Sequence, residues 1–374
     1  MMDKFRSPCF VLDESKLETN LQLIQKVSEQ SGAEIILAFK GFAMWSVFPL
    51  VKKYVQGATA SSLHEMKLCN EFMEAKAHTY CVAYREEEMG EFVSGSSHLT
   101  FNSLNQLNSL GPKANENGVS IGLRINPEYS DVETELYNPS SPNSRLGVLS
   151  DELDELPDFV DGLHLHVLCE SDSKALENTL ESLEKRFGKF LNKIDWLNLG
   201  GGHLMTREGY DVDHLIGLIR SFSEKHDLKI ILEPGSAFAW QAGGLHTRVL
   251  DVVRRNGVDT AIIDASFTCH MPDCLEMPYR PEIDEGSRDP DELRHKYRLG
   301  GVSCLAGDFL EAYSFDKKLE PGDSITFKDM MHYTMVKTST FNGIQHPSIG
   351  ILRKSGEFEL VREFGYEDYR NRLS

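Results

Sequence analysis

The stretch "AEIILAFKGFAMW", Ala33 to Trp45, decides how the chain is read. An apolar run, Ile35 to Phe39, ends on Lys40, and apolar residues resume at once. The first half looks like a short buried strand bounded by a charge. A lysine in that place has two readings. Its stem packs while its amine snorkels to water, or its amine is partly desolvated, has a lowered pKa and is nucleophilic toward aldehydes.

Outward from this strand the texture repeats. Apolar runs at 34–39, 56–60, 79–83, 98–101, 119–125, 162–167, 196–199 and 230–233 read as strands. Amphipathic helical segments lie between most of them, such as 63–75, 175–190 and 212–226. Ahead of the first, Leu17, Leu21, Ile24 and Val27 recur at helical spacing within 13–31. Eight strands joined by helical crossovers predict an α/β fold, a (β/α)8 TIM-like barrel. Catalytic groups in such barrels gather at C-terminal strand ends, and Lys40 ends the first strand.

After Pro234 the pattern changes. Runs at 246–254, 261–265, 324–327 and 349–353 read as strands without long helices between them, and 282–292 reads as a charged surface loop. The expected organisation is a barrel over 12–240 and a mostly-β domain over 241–374, with residues 1–11 joining the latter. A length of 374 residues suits two domains. No apolar run reaches membrane-spanning length, and "MMDKFRSPCF" lacks a signal-peptide core. Seven scattered cysteines fit free thiols in a reducing, cytoplasmic setting. A formal charge of −19 argues against nucleic acid or an anionic membrane surface as partner.

Several motifs carry chemistry. "NLGGGH", Asn198–His203, ends the seventh strand, where bare glycine N–H groups can cradle an anion. In "GLHLHV" His164 and His166 share a strand face. Together they invite a metal reading, but His98 begins another strand and no third ligand emerges, so metal: none is expected. His166 suits stacking on an aromatic cofactor, and His164 a structural hydrogen bond. "ILEPGSA" ends the eighth strand on Glu233, either solvated or paired, or set opposite a pyridine nitrogen that it keeps protonated. Arg124, at the end of the fifth strand, reads as half of a structural ion pair. "CHMPDC" is too cramped for a zinc site and reads as a loop shaping a pocket.

Taken in order, these motifs resemble the fold-type III pyridoxal-phosphate (PLP) decarboxylases, the ornithine and diaminopimelate decarboxylase group with its alanine-racemase-like barrel. The similarity runs from "SPCFVLD" at Ser7 to "STFNG" at Gly343, and "HVLCE", "SFTCHMPDC" and "CLAGD" are most similar to the carboxynorspermidine decarboxylases. The resemblance implies that Lys40 holds PLP as a Schiff base and that His166 stacks on its ring. Gly200, Gly201, Gly202, Gly235 and Tyr333 would bind its phosphate end, and Glu233 would pair with the ring nitrogen. Cys304 would be inserted into the partner subunit's site of a homodimer, where it is linked to protonating the α-carbon. Arg145 and Asp308 match positions of an intersubunit salt bridge.

Departures from the family pattern bear on substrate. Ser236 stands where relatives carry a phosphate-binding arginine, Leu305 where many carry an acidic residue after the cysteine, and Thr59 where an aspartate is usual. These changes turn the expectation from ornithine or diaminopimelate toward carboxynorspermidine and carboxyspermidine, in polyamine biosynthesis. Asp273, Glu276 and Asp308 are the candidate contacts for a polycationic substrate. The alternatives are a basic amino-acid decarboxylase, a racemase sharing the barrel, a metal-dependent hydrolase built on His164 and His166, and an inactive homologue that binds a partner protein.

Overall fold

The computed structural model describes residues 6–132, 134–141 and 143–374. The expectations that rest on Met1–Phe5, including part of the 1–11 segment, lie outside them. The chain divides into two units: Asn20–Phe238, and the segment up to Thr19 together with Ala239–Ser374.

β1 (Cys9–Asp13) belongs to the second unit. The barrel strands follow it in the chain: β2 (Glu34–Ile35), β3 (Leu37–Ala38), β4 (Ala58–Ala60), β5 (Ala77–Tyr80), β6 (Ser96–Phe101), β7 (Ser120–Arg124), β8 (Gly162–His164), β9 (Trp196–Asn198) and β10 (Lys229–Leu232). They hydrogen-bond in the order β2-β10-β9-β8-β7-β6-β5-β4-β3, and each pairing among them is parallel. β2 and β3 are halves of one run. The Ile36 amide bonds Leu232 O on one side at 3.0 Å, and the Leu37 amide bonds Gly57 O on the other at 3.1 Å. That run is the stave that closes the ring, so the nine segments make an eight-staved barrel.

Helices cover the staves, and polar side chains start them. Ser62, Ser103, Asp172 and Asp211 accept the backbone N–H of Glu65, Gln106, Ala175 and His214, which opens the helices Leu63–Leu68, Leu104–Glu116, Ser173–Phe187 and Val212–His226. The observed strands are shorter than the apolar runs. β8 stops at His164, so His166 lies beyond it and the two histidines do not share a strand face. His98 is the third residue of β6, not its start.

Inside the lower barrel, Trp196 lies against two glycines. A Cβ on Gly162 would stand 2.0 Å from the indole, and one on Gly122 2.5 Å from it. The indole N–H donates to Ser120 Oγ at 2.9 Å. His98 meets the indole edge-on, 5.2 Å between ring centres, and pairs with a tilted His78 at 3.8 Å.

The second unit is a sheet ordered β14-β13-β12-β11-β1-β16-β17, with β15 paired to β11. Its later strands are β11 (Gly243–Arg255), β12 (Val258–Ile263), β13 (His295–Gly300), β14 (Phe309–Phe315), β15 (Ser324–Lys328), β16 (Ser348–Leu352) and β17 (Phe358–Arg362). β1 runs antiparallel to β11 and parallel to β16. No helix among the described residues is long and apolar enough to cross a membrane.

Candidate active site

Lys40 follows β3 in a tight turn, where the amides of Gly41 and Phe42 both return to Ala38 O. Its Nζ lies 3.2 Å from His166 Nε2. His166 Nδ1 accepts the Gly201 N–H at 2.8 Å. That bond assigns the tautomer, because an Nδ1 that accepts leaves the proton on Nε2. Nε2–H then donates to Lys40, which requires a lone pair on the amine. The electrostatics agree. Burial, then the Arg124 guanidinium, lower the Lys40 ammonium below its ordinary 10.5, against opposing pulls from Glu233, Glu65 and Cys169. Burial and the Lys40 charge drive His166 well below 6.5. A neutral imidazole thus faces an amine biased toward its neutral form.

Glu233 follows β10 and is buried. Its Oε1 accepts Asn198 Nδ2 at 2.7 Å and its Oε2 lies 3.5 Å from His164 Nε2. Burial opposes its ionisation, but the neighbouring His164 imidazole, the Asn198 amide and His78 outweigh it, so the carboxyl sits below its ordinary range. Asn198 works twice, since its Oδ1 also accepts the Gly200 N–H at 2.8 Å.

The glycine triplet is a cradle that side chains would fill. Gly200 and Gly202 have φ of 69° and 90°. A Cβ on Gly201 would meet Glu233 O at 2.4 Å, and one on Gly202 would meet Leu168 O at 2.2 Å. Two of the three amides are already engaged, Gly200 with Asn198 and Gly201 with His166. Among the described residues, the Gly202 amide has no acceptor and is left for an anion. Gly235 touches Gly41 backbone to backbone, for a Cβ on Gly41 would stand 2.7 Å from Gly235 Cα. Ser236 Oγ donates to Glu170 Oε1 at 3.2 Å.

Lys40, His166, Glu233, the triplet and Gly235 therefore come together at the C-terminal ends of the barrel strands. Among the described residues Arg124 forms no ion pair. Its guanidinium lies 4.6 Å from the Tyr80 ring centre and donates to His166 O at 3.2 Å. His164 turns to Glu233 and the Tyr80 ring, away from His166. Among the described residues no three His, Cys, Asp or Glu side chains group as metal ligands.

Of the remaining predicted residues, Arg145 lies in the barrel unit and the others in the sheet unit. Cys304 is exposed. Tyr333 has φ 47°, unusual for a bulky residue. Asp273 accepts from Thr334 Oγ1 at 2.6 Å and lies 3.4 Å from Lys337 Nζ, and Glu276 pairs with the same lysine. Asp308 is buried, and both its oxygens accept backbone N–H groups. Each of these three carboxylates already has a protein partner.

Sequence reasoning passed over Asn198, Tyr80 and Glu65. Asn198 was visible two residues ahead of the triplet. Glu65 stood in the helix-start pattern "SLHE", and its Oε2 accepts the Ser61 N–H at 2.6 Å.

A family profile described as "Pyridoxal-dependent decarboxylase, C-terminal sheet domain" matches residues 9–331. The chain belongs to the pyridoxal-dependent decarboxylases. The decarboxylase is 52% identical over 369 residues to the carboxyaminopropylagmatine decarboxylase of Synechocystis sp., covering 98% of this chain and 95% of that one. It is 42% identical to the carboxynorspermidine/carboxyspermidine decarboxylase of Campylobacter jejuni, covering 98% of each. The crystal structure of Campylobacter jejuni carboxynorspermidine decarboxylase complexed with norspermidine superposes with a TM-score of 0.92 at 40% identity, over 98% of this chain and all of that one. The enzyme is a carboxy-lyase and its cofactor is PLP. The residues present fit that group: a half-buried amine biased toward neutrality for an aldehyde, a glycine cradle for a phosphate, and an ionised carboxylate for a basic ring nitrogen.

Proposed function

We propose that this enzyme removes the α-carboxylate of carboxynorspermidine and carboxyspermidine, releasing CO2 and a polyamine, and that it works in the cytoplasm as a homodimer. The full-length similarity to the Campylobacter jejuni decarboxylase, at 42% identity, carries the substrate reading. Free cysteines support a reducing compartment. Exposed Leu305 and Phe341, close to Cys304, support a surface that a second copy covers.

Lys40, His166, Gly202, Glu233, Gly235 and Tyr333 would hold PLP. When bound, it supplies an electron sink for the pair released as CO2 leaves. The protein does the rest. His166 keeps the Lys40 amine neutral by donating to its lone pair. Glu233, ionised and fixed by Asn198 and His164, stabilises positive charge on a ring nitrogen through a preorganised negative charge. The free amide of Gly202 stabilises an anion without a side chain in the way. Cys304 delivers the proton to the carbon that has lost CO2.

A second reading has its own support. The Synechocystis relative, at 52% identity, is named for an agmatine conjugate. Both substrates carry a carboxylated aminopropyl group on an amine, and they differ at the far end, ammonium against guanidinium. CO2 release with product mass analysis separates them over a panel of carboxynorspermidine, carboxyspermidine, carboxyaminopropylagmatine, ornithine, lysine, arginine and diaminopimelate. The first two should give the highest kcat/KM. A tenfold preference for the agmatine conjugate would move the assignment to the second reading, and turnover of the amino acids alone would reject both.

A further inference from the structure

Cys304 sits on the connection between β13 and β14, a surface segment with a solvent-exposed cysteine. Such a loop has no reason to be fixed by packing. Its backbone nevertheless has partners residue by residue. The Ser303 amide donates to Asp308 Oδ2 at 3.0 Å, the Cys304 amide to Asn342 Oδ1 at 2.8 Å, and the Leu305 amide to Ser303 Oγ at 3.3 Å. Three consecutive N–H groups thus end on side-chain acceptors. The base of the loop is closed by Gly301 N to Asp308 O at 2.7 Å and by Val302 N to Ala265 O at 3.1 Å. Asp308 is buried, and its second oxygen takes the Thr268 N–H at 3.0 Å, so the carboxylate ties two segments together.

Asn342 is unusual in its own backbone. Its φ is 58°, and Gly343 follows at 73°. Asparagine is among the few residues that tolerate this left-handed region. The conformation turns the side chain of Asn342 toward the Cys304 amide, 38 residues away in sequence.

We propose that Asn342, acting beside Asp308, which fixes the adjacent Ser303 amide, is the positioning residue that sets the direction in which Cys304 presents its thiol. The proposal rests on Cys304 being the proton donor in the reaction above. A proton donor displaced by an ångström loses its approach to the reacting carbon, while PLP and substrate are held by other residues.

The test uses holoenzyme and three variants. Asn342→Gly keeps the left-handed backbone and deletes the acceptor. Asn342→Asp keeps the acceptor. Cys304→Ala removes the donor itself. Asn342→Gly should lower kcat by about tenfold or more, with KM, the PLP absorbance band and the melting midpoint unchanged, and Asn342→Asp should restore kcat to within about threefold. Asn342→Gly added to Cys304→Ala should cost nothing further, because both act through one thiol. Wild-type kcat in Asn342→Gly, or full additivity in the double variant, would overturn the proposal. Wild-type turnover in Cys304→Ala would instead remove the reading it rests on. Should Asn342→Gly melt early, Asn342→Ala makes the same deletion, and the double-variant comparison decides from either background.

Discussion

The crown of the barrel and the Cys304 loop of the sheet unit solve the same problem by different means. In the barrel, Lys40 and His166 are half-buried and Glu233 is buried, and desolvation bears on their charges. Desolvation works against the Lys40 ammonium and the His166 imidazolium, while Glu233 stays ionised only because His164 and Asn198 offset its burial. In the sheet unit Cys304 is exposed. There control falls to backbone amides tied to Asp308 and Asn342. The barrel tunes protonation, and the loop tunes direction.

Substitutions in each region should break or sharpen that contrast. The largest effect belongs to Lys40→Ala, which should reduce turnover by roughly 10³-fold or more. Borohydride treatment of the wild-type holoenzyme should fix PLP to the peptide carrying Lys40, and label on another lysine would reject its place in the barrel site. Glu233→Gln comes next. It keeps the shape and removes the charge, and kcat should fall by about 10²-fold with little change in KM. A fall no larger than threefold would mean that the barrel does not depend on preorganised charge.

Gly202→Ala probes the cradle. The new Cβ would sit 2.2 Å from Leu168 O on a backbone with φ 90°. The strain should cost about 1–3 kcal/mol and weaken PLP binding, read by cofactor titration. Unchanged affinity would show that the anion site lies elsewhere.

A pH series tests burial directly. Burial lowers His98 to about 3 and His203 to about 4, against 6.5 for an ordinary histidine. Between pH 6.5 and 4 the unfolded chain takes up protons that these two residues refuse when folded. Stability should therefore fall as pH falls through this window, at up to about 1.4 kcal/mol per pH unit for each such histidine. Urea midpoints would record the slope, and His98→Gln should flatten it. The smallest effect is expected for Glu276→Ala. Its partner Lys337 is exposed enough for solvent to screen the pair, and stability should change by less than about 1 kcal/mol. A large rise in KM in that variant would restore Glu276 as a substrate contact.

The barrel was legible because its staves are apolar runs at regular intervals. The helix Val212–His226 matched its predicted span end to end, since its apolar residues fall on one face and Asp211 marks its start. Strands with one wet face were not legible. β17, "FELVR", has no fully buried residue, and β13 alternates charged and apolar positions as many loops do. β1 was missed for the opposite reason, as its buried "CFVLD" runs straight into a helix with no turn signal between. The candidate site was legible as residue types at strand ends. Which glycine amide stays free was not, because His166 engages Gly201 from 35 positions away and no local pattern encodes that bond.

The plug formed by Trp196 has a consequence for traffic. Gly122 and Gly162 give up their side chains to admit the indole, and the tilted His78–His98 pair lies beside it, so aromatic bulk fills this part of the barrel. A long ligand could reach Lys40 from that end only by displacing the indole, whereas Lys40, His166 and Glu233 lie at the opposite, C-terminal ends of the strands.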